Sequence, residues 1–170
     1  MTDHIPVVET DRLRLRAPHL DDLPTLTGFY GSERSHWVGG PLDARAAHRS
    51  MLSVIGSWAL RGYGLWYVAD KDSDGFLGWA GIIFAPGWHE PELGWTVMEE
   101  AEGKGIAFEA VSTARNYAAR HLGQDGVISY IDPENTRSAA LASRLGATLE
   151  REDTFLDHPV HIYRHPKEAA

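Results

Sequence analysis

The chain of 170 residues contains no cysteine. It can therefore form no disulfide bond, and it has no thiolate to bind a metal or attack a substrate. Any mechanism with a covalent intermediate on cysteine is excluded. For a chain that transfers a group between two molecules, direct transfer within a ternary complex is the simpler option.

Long apolar segments are missing too. The sequence has no apolar run of about 18 or more residues, the length at which a membrane-spanning helix is suspected. The opening residues, MTDHIPVVETDR, lack the apolar core of a secretion signal, so a cytoplasmic location is expected. The composition, 43% hydrophobic and 24% charged, predicts one globular domain over residues 1–170.

Basic side chains are few relative to acidic ones. Lysine and arginine number 16 against 24 aspartates and glutamates, for a net charge of −8. This balance argues against non-specific nucleic-acid binding and favours cationic partners. Composition does not distinguish a monomer from a homodimer.

Two clusters imitate metal sites without completing them. Asp70–Asp74 copies the start of a calcium-binding loop, but the required glutamate position falls on Gly81. The second cluster is three histidines, His158, His161 and His165. On a strand, residues three apart face opposite ways, and residues four apart are separated by roughly 13 Å. No metal site is predicted.

Apolar periodicity organises the whole chain, with no internal repeat or linker. Alternation predicts seven strands, at Arg12–Arg16, Tyr63–Ala69, Gly75–Phe84, Glu92–Val97, Val127–Ile131, Ala147–Phe155 and Val160–Arg164. Helical spacing predicts four helices, at Leu20–Tyr30 and Asp43–Leu60, from Ile106 to about His121, and from Asn135 to Leu145. The expected class is α/β (α+β): a mixed, mostly antiparallel sheet with helices on both faces.

The most informative segment is Pro91–Ala110, PELGWTVMEEAEGKGIAFEA. It predicts a strand, then a loop in which Gly103 and Gly105 bracket Lys104, then a helix beginning at Ile106. The first N–H groups of a helix are unpaired and lie at the positive end of its dipole, so they bind phosphates. The alternative is a plain strand-to-helix turn. The P-loop pattern and the dinucleotide fingerprint are both absent.

A second segment, DPENTRSAALASRLGA, follows at Asp132–Ala147. Asn135 is a good helix-capping residue, and Gly146 suits the helix end. The small residues between them predict a slim helix that a thin ligand can approach. The alternative is that Asn135 only caps the helix and that Ser138 is an ordinary helix serine.

Together the two segments resemble the acetyl-CoA-binding core of the GNAT N-acetyltransferase superfamily. EGKGIA matches the pyrophosphate motif Gln/Arg-x-x-Gly-x-Gly/Ala, with Gly105 and Ala107 on its last two positions. NTRSAALASRLGA is similar to the family's Asn-x-x-Ser/Ala helix. ETDRLRLRAPHLDDLPTL resembles the opening of the branch containing ribosomal-protein N-terminal acetyltransferases. Glu109-Ala110 is similar to the end of the Ala-Thr-Glu-Ala motif that is common in one branch of the family. The likeness extends over a core from about Glu9 to Pro166.

The resemblance implies a sheet of about seven strands that splays between the strands near residues 92–97 and 127–131. It implies acetyl-CoA as the cofactor and an amine-bearing acceptor, either a small molecule or a protein N-terminus. The pantetheine arm would bind along the first of these strands, whose backbone N–H groups would also stabilise the reacting carbonyl. The implied cofactor-binding residues are Trp95, Thr96, Val97, Gly103, Lys104, Gly105, Ile106, Ala107, Asn135 and Ser138.

The resemblance also implies catalytic roles. Glu92 would direct deprotonation of the amine, with Asp132 a weaker candidate, and Ser138 would protonate the leaving thiolate. Trp37 and Trp88, in predicted loops, and His158 are candidates for the acceptor site.

Two departures from the family pattern keep an alternative open. Glu102 occupies a position where the family has glutamine or arginine, and Ala142 occupies the position of a frequent catalytic tyrosine. Both favour a catalytically weak or inactive acyl-CoA-binding regulatory module of the same fold. A small α/β domain without any cofactor is a further alternative. Peptide N-termini, aminoglycosides, polyamines and small amino compounds all remain open as acceptors.

Overall fold

The computed structural model describes residues 4–168 and contains one sheet of eight strands. The strands are β1 Val8–Glu9, β2 Leu13–Arg16, β3 Leu65–Asp70, β4 Phe76–Ile83, β5 Glu92–Val97, β6 Ile128–Ile131, β7 Thr148–Phe155 and β8 His158–Arg164. The helices are α1 Leu23–Tyr30, α2 Ala44–Arg61, α3 Ile106–His121 and α4 Thr136–Arg144. Within residues 4–168, no helix is both long and apolar enough to cross a bilayer.

The predicted class is confirmed. The strand order is β1-β2-β3-β4-β5-β6-β8-β7, and every neighbouring pair except β5–β6 is antiparallel. The strand missing from the prediction is β1, whose two residues are too few to show alternation. Glu33–Val38 forms a 3-10 helix that ends at Gly39, so Trp37 lies on a helical turn and not in a loop.

Helices cover both faces of the sheet. Trp66 and Tyr67 are neighbours on β3 and therefore point to opposite faces. The Trp66 ring meets Tyr117 of α3 edge-on, at 5.6 Å between centroids. Tyr67 pairs in register with Trp79, and Trp79 stacks on Tyr30 of α1 at 5.8 Å. The core is thus divided into two layers, with α1 and α3 on opposite faces.

The sheet opens between β5 and β6. These strands pair in parallel at a single position, Glu92 facing Ile128, whereas β4 and β5 pair at six positions. Beyond Glu92 the two strands diverge, as expected from the resemblance, and the sheet continues on the far side through β8 and β7.

A buried ion pair anchors the first helix to the sheet. Arg16 on β2 donates two hydrogen bonds of 2.8 Å to the carboxylate of Asp22, and each side chain is 4% exposed. The Arg16 guanidinium also reaches Asp74 in the β3–β4 turn at 3.1 Å. Asp22 sits at the start of α1, so this pair joins the helix, the edge of the sheet and a hairpin.

Asp22→Asn is expected to lower the free energy of unfolding by about 3 kcal/mol, because the buried guanidinium of Arg16 loses its buried counter-charge and keeps only the more exposed carboxylate of Asp74. Urea denaturation followed by circular dichroism measures this. The matched control is Asp21→Asn on the exposed neighbour, which should change stability by less than about 0.5 kcal/mol. Equal effects of the two substitutions would contradict the assignment.

Candidate functional site

A cavity of about 1310 Å³ lies where β5 and β6 diverge, and extends between the first turn of α3 and α4. Most of the residues proposed from the sequence line it: Trp37, Glu92, Trp95, Thr96, Val97, Gly103, Gly105, Ile106, Ala107, Asn135, Ser138 and His158. Lys104 and Trp88 do not line it. Segments from widely separated parts of the chain therefore share one cavity.

The glycine loop has the conformation that its sequence suggests. Gly103 and Gly105 have φ angles of +69° and +77°, a left-handed region that disfavours other residues. Gly105 caps α3 and has no side chain with which to bond the helix amides. Within residues 4–168, no acceptor bonds the N–H groups of residues 106–108. These groups are thus available to an anion in the cavity.

Arg12 bonds the same loop to the first turn of α3. Its guanidinium donates to the Lys104 carbonyl oxygen at 2.9 Å and to Glu109 Oε2 at 2.6 and 2.8 Å. The Thr10 hydroxyl donates to the other oxygen of Glu109 at 2.5 Å. The Lys104 side chain itself is exposed. The N-terminal segment thus holds the loop and the first turn of α3 together.

Glu102, the acidic residue at the head of this loop, is neutralised by two arginines. Arg34 donates to one carboxylate oxygen, and Arg137 on α4 contacts the other at 2.6 Å. Burial acts to raise the pKa of Glu102, but the two guanidinium groups outweigh it and the pKa is lowered. The two arginines and the one carboxylate together carry a net positive charge at this end of the cavity.

The edge of β5 offers main-chain groups to the cavity. The Met98 N–H donates to the Leu77 carbonyl on β4, while the Leu93 carbonyl accepts from Ser129 on β6. Because directions alternate along an antiparallel strand, Trp95 and Val97 turn their N–H and C=O groups toward the gap. The backbone of Thr96 faces β4 instead, and its hydroxyl donates to the Trp95 carbonyl at 2.9 Å.

A buried serine–histidine pair sits where the strands separate. Ser129 Oγ donates to the Leu93 carbonyl at 2.6 Å, so it accepts from His165 Nε2 at 2.9 Å. His165 is 1% exposed, and burial, with smaller contributions from Arg115 and Arg164, lowers its pKa to about 4. The ring is therefore neutral at physiological pH. Sequence reasoning considered His165 only as a metal ligand, because nothing local indicates that it meets Ser129.

Glu92 is the first residue of β5 and the one position at which β5 pairs with β6, so it lies at the apex of the gap. The Trp88 indole N–H donates to Oε2 at 2.7 Å, and the Tyr130 backbone N–H lies 3.4 Å from Oε1. Burial raises the pKa of Glu92 to about 7, against the lowering effect of these two hydrogen bonds. No cationic side chain among residues 4–168 pairs with it. Its carboxyl group can thus change protonation near neutral pH.

The acceptor candidates differ in position. Trp88 contacts Glu92 and packs edge-on against Phe155 at 4.8 Å, so it supports the wall of the site from behind. Trp37 is 44% exposed and His158 is exposed, and both line the cavity.

Helix α4 brings two polar groups to the cavity. Asn135 Oδ1 accepts the Ser138 N–H at 3.1 Å and so caps the helix, which leaves the amide nitrogen of Asn135 for another partner. The Ser138 hydroxyl is half-buried and makes no hydrogen bond within the described part of the chain. Ala142, one turn further along, is fully buried and offers no acid.

Comparison with known proteins adds an independent finding. A family model described as "Acetyltransferase (GNAT) domain" matches residues 12–148. The [Ribosomal protein uS5]-alanine N-acetyltransferase of Escherichia coli is 26% identical over 160 residues, which cover 88% of this chain and 80% of that protein.

Solved structures agree with the fold. The acetyltransferase from Agrobacterium tumefaciens is 34% identical with a TM-score of 0.88, covering 96% of this chain and 95% of that one. RimL, a ribosomal alpha-N-protein acetyltransferase solved in complex with coenzyme A, has a TM-score of 0.80 at 17% identity, covering 97% of this chain and 100% of that one.

The raised pKa of Glu92 predicts a cost in stability. Between the ordinary glutamate pKa of 4.5 and about 7, the folded chain holds a proton that the unfolded chain has lost, so stability falls as pH rises through this window. Glu92→Gln should therefore raise the free energy of unfolding by up to about 3 kcal/mol at pH 8. The gain should vanish toward pH 4.5.

Urea denaturation at several pH values tests this, with Glu134→Gln on the exposed surface as the control. The control should differ from the parent by less than about 0.5 kcal/mol at each pH. A pH-independent effect of Glu92→Gln would show that its carboxyl group is not perturbed.

Proposed function

The chain belongs to the acetyltransferase (GNAT) domain family, and we propose that it transfers an acetyl group from acetyl-CoA to a primary amine by direct attack in a ternary complex. One observation carries the proposal. A single cavity joins the open N-terminus of α3, the unpaired edge of β5 and the partly buried carboxyl group of Glu92. We take residues 1–170 as one acetyltransferase domain with its core at about 9–166.

The residues around the cavity suit coenzyme A. Backbone N–H groups from Gly103 to Ala107 would hold the pyrophosphate, with the dipole of α3 adding positive potential. Lys104 would take part only through its backbone N–H, because its side chain is exposed and does not line the cavity. When bound, acetyl-CoA supplies the acetyl group as an activated thioester.

The edge of β5 would orient the rest of this substrate. Trp95 and Val97 have main-chain groups free to bond the amides of the pantetheine arm, as a neighbouring strand would. Their N–H groups can also donate to the thioester carbonyl oxygen, where negative charge develops. The Asn135 amide nitrogen would bind the pantetheine or pyrophosphate end.

Glu92 would act as the general base. An amine with a lysine-like pKa of about 10.4 arrives protonated and must lose a proton before it attacks. The Glu92 carboxylate takes that proton directly or through a water molecule. The amine nitrogen would then bond the acetyl carbon, the carbon–sulfur bond would break, and the Ser138 hydroxyl would give its proton to the departing sulfur. The second proton lost by the nitrogen would return to Ser138 through water.

A non-catalytic acyl-CoA-binding module is the second candidate function. Two sequence features favour it: the acidic residue Glu102 in the loop, and Ala142 at the position of a frequent catalytic tyrosine. The pairing of Glu102 with Arg34 and Arg137 removes the first argument, since its charge is compensated within the chain. Release of free thiol from acetyl-CoA in the presence of amines separates the two functions, because only the enzyme gives it.

Gly105→Glu is expected to weaken coenzyme A binding at least 10-fold, because it puts a side chain and a negative charge at the helix N-terminus. The matched control is Gly123→Glu at the other end of α3, where φ is +67° and no atom lies within 4 Å of the position a Cβ would take, whereas at Gly105 the nearest atom is Arg12 Nη2 at 3.5 Å. Both substitutions strain the backbone alike. Calorimetric titration with coenzyme A should show normal binding only in the control, and retained binding in Gly105→Glu would refute the proposed site.

Glu92→Gln is expected to lower kcat/KM by about 10²–10⁴-fold, the usual contribution of a general base. In the parent enzyme the rate should fall as pH drops through about 7, where Glu92 takes up a proton. In Glu92→Gln the inflection near pH 7 should disappear, and the residual rate should rise with the neutral fraction of an amine whose pKa is about 10.4. Ser138→Ala should lower kcat but keep the inflection, and a parent profile that is flat between pH 6 and 8 would exclude Glu92 as the base.

A further inference from the structure

The hairpin between β7 and β8 ends in an unusual turn. Phe155 pairs with His158, and the two residues between them, Leu156 and Asp157, have φ angles of +50° and +65°. Positive φ at both central positions is the geometry of a type I′ turn, which normally carries asparagine and glycine. A leucine held there is strained by about 1–3 kcal/mol. Such strain points to a use for this side chain.

Leu156 follows Phe155 at the tip of the hairpin, and its side chain lies close to Gly87, next to Trp88 in the sequence. Leu156 lines the cavity and is nevertheless 58% exposed, so it buries little surface in the folded chain itself. The next residue toward β7, Phe155, also lines the cavity and stacks on Tyr130 at 4.2 Å. Trp88 packs against Phe155 and donates to Glu92. The apolar wall formed by Tyr130, Phe155 and Leu156 is therefore continuous with the carboxyl group of Glu92.

Carboxylates in the cavity limit how many positive charges an acceptor can carry. Three acidic residues line it: Glu92, Glu102 and Asp132. Glu102 is occupied by two arginines, and Asp132 accepts the Glu134 N–H at 2.8 Å at the start of α4. Within the described chain, Glu92 alone combines a place beside the apolar wall with the lack of a cationic partner. A second or third ammonium group would meet apolar side chains, which is costly.

We propose that the acceptor carries one primary amine on an apolar or aromatic body, and that Leu156 with Phe155 selects it. This inference rests on the proposed acetyl transfer and narrows it. The amine meets Glu92, and the body packs on the wall of Tyr130, Phe155 and Leu156. Polyamines and aminoglycosides, which carry several ammonium groups, do not match an apolar wall against which Glu92 is the carboxylate held by hydrogen bonds from Trp88 and Tyr130.

The test compares three amines by thiol release at saturating acetyl-CoA: 2-phenylethylamine, spermidine and kanamycin. We expect kcat/KM for 2-phenylethylamine to exceed that for either polycation at least 10-fold. Leu156→Asn should then lower kcat/KM for 2-phenylethylamine about 10-fold, mainly through KM, because apolar contacts at a pocket are worth 10-fold or more. Asparagine tolerates the left-handed turn, so the hairpin is retained.

Asp157→Asn is the matched control, since it changes the neighbouring turn residue but not the apolar wall, and it should leave the kinetics unchanged. Equal or faster acetylation of spermidine or kanamycin would overturn the inference, as would an unchanged KM in Leu156→Asn. If coenzyme A binds but no amine releases thiol, the proposed catalysis fails. Calorimetry with 2-phenylethylamine on the coenzyme A complex then decides: weaker binding in Leu156→Asn supports the inference, and equal or absent binding refutes it.

Discussion

The separation of β5 from β6 after one pair of facing residues is the constraint on which the site depends. An inner strand normally bonds neighbours on both sides, yet Trp95 and Val97 turn their main-chain groups toward a cavity. Two side chains close the apex of the gap: Ser129 bonds the Leu93 carbonyl, and Glu92 reaches the Tyr130 N–H. The opening is therefore held by specific hydrogen bonds, and it forms a groove in which an extended ligand can replace the missing strand.

The environment of Glu92 joins this architecture to reactivity. Its carboxyl group is partly buried, receives an indole N–H from Trp88 and has no cationic partner in the described chain. Burial destabilises the ionised form of Glu92 more than the hydrogen bonds stabilise it, and so brings the pKa close to neutral pH, where a general base is most effective. If the proposed role of Glu92 holds, its cost to the stability of the fold is an exchange of stability for function.

The motifs of the N-terminal segment and of α3 are linked by direct contact. Thr10 and Arg12 both bond Glu109, and Arg12 also bonds the carbonyl oxygen of the glycine loop. Residues nearly 100 positions apart thus hold the glycine loop and the first turn of α3 together. Glu102 is also paired with distant segments, because Arg34 comes from the 3-10 helix and Arg137 comes from α4. A departure from the family motif in one segment is balanced by charges in two others.

Local sequence was sufficient for the four helices, for seven of the eight strands and for the left-handed conformation of the glycine loop. The alternation at 92–97, the glycines at 103 and 105 and the cap at Asn135 impose their conformations through nearest neighbours, and the family motifs identified the fold. Packing decided the rest. His165, Tyr130, Phe155 and Leu156 reach the site only because the order β6-β8-β7 brings distant strands together, and Trp88 supports Glu92 from outside the cavity. Such contacts depend on pairing across the sheet, which no local pattern encodes.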